Sequence, residues 1–145
     1  MLRDPSLIPL SHQHHNGLAL CVLTDRELAQ DGSAANIERL GKRAIDRYAV
    51  ELINHFELEE QILFPACESD LTARLREEHR QIEALIGKLR AQPAAALLTE
   101  FTSLLRSHIR QEENELFESV QKQLPRETLD RLGAEIDSKA VRVCL

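Results

Sequence analysis

One ten-residue pattern occurs twice and restricts what the chain can become. The first copy runs from His55 to Phe64 (HFELEEQILF), the second from His108 to Phe117 (HIRQEENELF), and both read H-x-x-x-E-E-x-x-L-F. Residues four apart share one face of an α-helix. Each copy therefore points an imidazole, His55 or His108, and a carboxylate, Glu59 or Glu112, in one direction. A carboxylate aimed into a core is costly unless it is paired or metal-bound. One imidazole and one carboxylate per helix, presented twice, suit a two-metal site inside a helix bundle.

The rest of the chain supplies the bundle. Leu, Ala, Glu and Arg dominate, aromatics make up only 3%, and β-branched residues are thinly spread, so the composition favours helix over sheet. At 145 residues the expectation is one domain over 1–145, with a four-helix core at about 11–123 and a C-terminal segment at 125–145. Residues 1–10, with Pro5 and Pro9, read as an irregular lead-in, and Ser11 as the first N-cap. Leu18, Val22, Leu23 and Leu28 then mark an apolar stripe to about Ala29. Gly32 suits a left-handed position after that helix. Ser33 or Asn36 opens the second helix, whose stripe runs from Ile37 to Leu63, and Pro65 ends or kinks it. Ser69 caps the third, with Leu71, Leu75, His79, Ile82, Leu85, Ile86 and Leu89 inward. Pro93 fits the first turn of the fourth, which closes at Leu124-Pro125. A short fifth helix runs to about Ile136 with Leu129, Leu132 and Ile136 inward. The tail 137–145 is open: Val141-Arg142-Val143 could pack or stay loose. The expected fold is all-α, an up-down-up-down antiparallel four-helix bundle with a short C-terminal fifth helix.

At about 1.5 Å per residue, one His from each long helix falls at roughly the same level. The order His, then His-x-x-x-Glu, occurs twice. His15 is matched with His79 by the H-x-x-L/I that each begins. The predicted ligands are His15 and His55 on one metal and His79 and His108 on the other, with Glu59 and Glu112 bridging. His14 replaces His15 if the first helix is rotated. Glu83, four residues past His79, is a candidate further ligand. Glu60 and Glu113 lie about 100° round their helices and read as partners of the ligands or as solvated charges. His12, one turn earlier, reads as a further partner near the open end. Glu57, Glu77 and Glu115 read as surface residues. A lone His on an apolar face is more often a core histidine than a ligand; four His and two Glu at one level make an expensive core without an ion. Imidazole with carboxylate suits iron, manganese or zinc, and two carboxylates with a bridging oxide or hydroxide offset the charge of two such ions.

Other features exclude more than they assign. The net charge of −6 argues against nucleic acid and anionic membranes as partners. No run reaches transmembrane length and no signal peptide is visible, so a cytoplasmic protein is expected. Cys21, Cys67 and Cys144 form neither a disulfide framework nor a thiolate site. Cys21 reads as a core filler; nothing nearby marks Cys67 or Cys144 as reactive. Tyr48 reads as core.

The ordered set Gln13-His14-His15, His55-x-x-x-Glu59-Glu60 with Leu63-Phe64-Pro65, Glu78-His79-Arg80 with Ile82, and His108-x-x-x-Glu112-Glu113 with Leu116-Phe117 resembles the hemerythrin-like (HHE cation-binding) family. The resemblance runs from Leu10 to about Gln123. It implies a left-twisted four-helix bundle with a non-haem di-iron centre, Fe2+/Fe3+, bridged by oxygen and carboxylates. The oxygen-carrying members have a second His where Glu83 stands and an Asp one residue beyond Glu112; the chain is closer to the bacterial branch. The implied function is a metal-binding protein that binds or senses O2, NO, peroxide or iron level, acting through a protein partner or a homodimer. The alternatives are a di-iron oxidoreductase (peroxide disproportionation, ferroxidase chemistry or NO reduction) and a structural metal site.

Overall fold

The computed structural model describes residues 2–143. Among them every regular element is helical. Four rods form the bundle. The first is α1 (Ile8–Gln30), led in by a 3-10 turn at Pro5–Leu7. The second runs from α2 (Ala34–Arg47) through a π turn (Tyr48–Leu52) into α3 (Ile53–Leu58), a second π turn (Glu59–Leu63) and a 3-10 turn (Phe64–Ala66). The third is α4 (Asp70–Ala91). The fourth joins α5 (Ala95–Gln111), a π turn (Glu112–Leu116) and α6 (Phe117–Gln123). A fifth helix, α7 (Arg126–Lys139), packs on the Pro5–Leu7 turn. Connections of a few residues make consecutive rods antiparallel. Around the bundle α1 touches α2, α2 touches α4, α4 touches α5, and α5 returns to α1. No described helix is long and apolar enough to cross a membrane.

Local chemistry sets the ends. Ser33 caps α2, its Oγ accepting from Asn36 N–H, and Ser69 with Thr72 forms a capping box on α4. Pro125 precedes α7, whose Leu129, Leu132 and Ile136 are all buried. Two apolar clusters fill the interior. One is built on Leu40, Ile82, Ile86, Leu98, Phe101 and Leu105; the other, towards α7, on Leu7, Leu10, Leu63, Phe64, Leu75 and Phe117. A layer of buried His and Glu is contributed by all four rods.

Several local expectations are corrected. α1 begins before Ser11, because Pro9 sits in its first turn, where no N–H donor is required. Ser11 instead donates to Glu113. No described glycine has positive φ; α1 ends on extended Asp31, whose carboxylate accepts from Ser33 N–H. Pro93 precedes the fourth rod rather than opening it, and α5 starts from Ala94. The largest correction is the rotation of α1. Its buried face is Leu10, Gln13, His14, Gly17, Leu20, Cys21 and Thr24, while Val22 and Leu23 are 47% and 40% exposed. Gly17 lies on this face against α5: a Cβ there would lie 2.9 Å from Ile109 Cδ1, the movable end of a side chain, so the glycine eases the approach of the two helices. Cys21 is fully buried, as a filler should be, and burial pushes its thiol up to about 12. Cys67 is half-buried and Cys144 lies outside the described residues. Residues 141–143 are held by hydrogen bonds to side chains of α1 and α3, while Val141 and Arg142 stay exposed.

Candidate metal centre

The polar layer contains two groups of four side chains. His14, His55, Glu59 and Glu112 form one; Glu59, His79, His108 and Glu112 form the other. Within each, one ligand atom per residue lies within 4.8 Å of the rest, and every member is buried. Glu59 and Glu112 belong to both. His79 Nε2 is 3.1 Å from Glu59 and 3.2 Å from His108 Nε2; His14 Nε2 is 2.9 Å from Glu112. His55 Nε2 lies 3.3 Å from Glu59 Oε1. Yet His55 Nε2, Glu59 Oε2 and Glu112 Oε2 have no hydrogen-bond partner. Buried polar atoms left without a partner are costly, and three that are also metal-ligand atoms in one cluster fit a bound cation.

Both carboxylates stand at the first residue of a π turn, where the ladder takes one extra residue: Phe64 N–H reaches Glu59 O, and Phe117 N–H reaches Glu112 O. The following pairs, Leu63-Phe64 and Leu116-Phe117, are both buried in the cluster towards α7. Phe117 stacks on His14 at 5.2 Å between centroids, and Phe64 and Phe56 stack on His79 at 5.8 and 4.0 Å. The L-F ending of the repeated motif thus packs imidazoles.

The outward nitrogens form a closed ring of partners. Gln13 on the first rod binds His55 Nδ1 on the second, at 2.9 Å. Glu60 on the second binds His79 Nδ1 on the third, at 2.7 Å. Glu78 on the third binds His108 Nδ1 on the fourth, at 2.7 Å. Glu113 on the fourth binds His14 Nδ1 on the first, at 2.5 Å, and is held by Ser11 and Arg3. Each partner is the sequence neighbour of a cluster residue. Hydrogen-bonding the outer nitrogen of a metal-binding imidazole orients the ring and fixes its tautomer.

Charge in the cluster is divided unevenly. Burial, then the neighbouring Glu112 carboxylate, raises Glu59 well above the usual carboxylate range. Burial also opposes ionisation of Glu112, but His108, the Glu59 hydrogen bond and His14 outweigh it and hold Glu112 low. Burial, then His108, pushes His79 down to about 2. Burial disfavours charge on His108 too, yet Glu112 and Glu78 raise it to about 10. Without a cation, Glu59 is thus biased towards its protonated form and His108 towards its charged form, and a cation displaces such protons.

His55, Glu59, His79, His108 and Glu112 fall where the motif places them. His15 does not: it is exposed, and His14 occupies the inner position. The cause is the rotation of α1, which turns Gln13, His14 and Gly17 inward. Glu83 is exposed, belongs to neither group, and lines a surface cleft. His12 is exposed and outside the ring. Glu60 and Glu113 are partners of the imidazoles. Gln13 and Glu78 were not singled out from sequence as partners, although adjacency to His14 and His79 was the available signal. Glu51, one turn before His55, is also buried, and is held by Asn16 at 2.8 Å and Arg47 at 3.1 Å.

The family model for the hemerythrin HHE cation binding domain matches residues 7–120. No curated protein and no solved structure gave a match.

Proposed function

The chain belongs to the hemerythrin HHE cation-binding domain family, and from that premise we propose that it holds two iron ions and binds or senses O2, NO or peroxide at them. His14 and His55 would hold one ion and His79 and His108 the other, with Glu59 and Glu112 serving both. The observation that carries this reading is the set of three unpartnered buried ligand atoms, His55 Nε2, Glu59 Oε2 and Glu112 Oε2. Iron in a His/carboxylate site supplies a change of redox state and an open position for a small ligand.

The chain's own residues provide access and restraint. A cleft of about 490 Å³ lined by Tyr48, Phe56, Glu60, His79, Arg80 and Glu83 runs to the second group. His79 is the member of that group that lines it, with Glu60 beside it. Phe56 and Phe64, stacked on His79, keep that imidazole from turning into the cleft. The outer nitrogens are all engaged by the ring of partners, so the cluster presents ligand atoms and no separate nucleophile. That favours binding or sensing over a dedicated enzyme.

The test is metal content and spectrum. Protein from iron-replete cells should carry about two irons per chain, and its visible spectrum should change on reduction and again, reversibly, on O2 or NO. Less than one iron per chain sinks the two-metal reading. Sustained gas evolution from peroxide instead places the protein among the oxidoreductases.

A further inference from the structure

Three of the four outer imidazole nitrogens face carboxylates; His55 alone faces an amide, Gln13. A carboxylate accepts through either oxygen. An amide accepts through only one end, and turned over it would aim N–H at N–H. Something must therefore fix which way Gln13 points.

The segment after α7 does so. Val141 N–H can only donate, and it meets Asn54 Oδ1 at 2.9 Å; the Lys139 carbonyl can only accept, and it takes Asn54 Nδ2 at 3.0 Å. These two backbone groups set the Asn54 amide. Gln13 Nε2 then donates to Asn54 Oδ1 at 2.9 Å and to the Val141 carbonyl at 3.1 Å, both pure acceptors at that point. Gln13 Oε1 is left for His55, whose Nδ1 must carry the proton. The other nitrogen, Nε2, keeps its lone pair towards Glu59 and Glu112. Asn16, donating to the Val143 carbonyl at 3.0 Å, anchors the strap further along.

We propose that the strap 139–143 is a positioning element for the metal centre: through Asn54 and Gln13 it locks His55 in its metal-binding tautomer and so slows loss of the ion held by His14 and His55. The inference rests on the two-metal reading above. It distinguishes the two ions, because His79 and His108 have carboxylate partners that need no such lock.

The probe is Zn2+, loaded on the full chain and withdrawn by excess chelator. Val141→Pro removes the N–H that sets Asn54, at a residue 38% exposed and preceded by an extended Ala140 that tolerates proline. It should speed release of one of the two ions about three- to tenfold, the equivalent of one net hydrogen bond. Asn54→Leu should do the same by a different change. Gln13→Leu should speed that ion about ten- to a hundredfold. Val141→Pro combined with Gln13→Leu should release no faster than Gln13→Leu alone, since the strap acts through the Gln13 amide. A purely structural strap would add its own effect to that of Gln13→Leu. Native release rates in both Val141→Pro and Asn54→Leu, or a double variant faster than Gln13→Leu by the whole Val141→Pro factor, overturn the proposal. A native chain that takes up less than one zinc ion sinks the centre itself, a separate result from loaded protein that is indifferent to the strap.

Discussion

At the scale of single residues, Glu59 is held where a carboxylate is least comfortable. It is fully buried, beside a second carboxylate, and one of its oxygens has no partner. Such a group opposes folding until a cation compensates it. Glu59→Gln should therefore move two quantities in opposite directions. Metal per chain should fall below half its native value, while the metal-free protein should gain about 1 kcal/mol or more in urea unfolding near neutral pH, because the native carboxyl is ionised in the unfolded chain and must take up a proton to be buried, whereas an amide need not. Glu57→Ala, at an exposed position on the same helix, should change neither. His14 and His15 make a second contrast. His14→Ala should lose metal, whereas His15→Ala should retain it; elemental analysis of the two proteins decides between inner and outer histidine.

At the scale of elements, the repeated motif made much of the second and fourth rods legible, because a four-residue spacing of His and Glu has one meaning on a helix. It did not reveal the π turns, since Glu59 and Glu112 lie on the inner face whether or not the ladder later widens. The first rod was misread for a physical reason. Two of its apolar residues, Val22 and Leu23, are exposed, and beside Leu10 and Leu20 its inner face is small or polar: Gln13, His14, Gly17, Cys21, Thr24. A stripe search follows bulk, whereas close helix approach follows its absence; the preference for His15 over His14 rests on its H-x-x-L match with His79, which carries no information about helix rotation. The ring of partners was out of reach because each bond joins two rods, so only neighbouring positions, not pairings, can be read along the chain. Close approach also governs α7. A Cβ on Gly133 would lie 2.8 Å from Ser6 Cα, which is backbone and cannot swing aside. Gly133→Ala should cost about 1–3 kcal/mol in urea unfolding without loss of metal. Gly87→Ala, with nothing within 4 Å in the middle of α4, should gain about 0.5–1 kcal/mol. The α7 junction also carries a pH dependence. Arg126 beside Asp4 holds that carboxyl well below the usual range. Its folded pKa is depressed, so its contribution is present at neutral pH and is lost as pH falls through the folded value. Asp4→Asn should cost at most about 1 kcal/mol at pH 7, given the exposure of Arg126, and the difference should shrink as pH falls below about 4.

At the scale of the whole molecule, the His/Glu layer draws one member or more from every rod of the bundle. A cation there would tie all four rods at one level, so metal occupancy should set global stability as well as reactivity. Any ligand that binds only the folded chain stabilises it by mass action, about 2.7 kcal/mol at a free concentration one hundred times Kd. For a chain of this length each kcal/mol shifts the melting midpoint by about 2–4 °C. Stripping metal with chelator should therefore lower the calorimetric midpoint by about 5–10 °C, and re-addition of iron or zinc should restore it. The chelator acts on other things as well, so the shift alone does not locate its origin. Glu59→Gln does: having lost a residue shared by both groups, it should melt at nearly the same temperature with and without chelator. Equal shifts in the native and variant proteins would mean that the stabilising metal sits elsewhere than between the four rods.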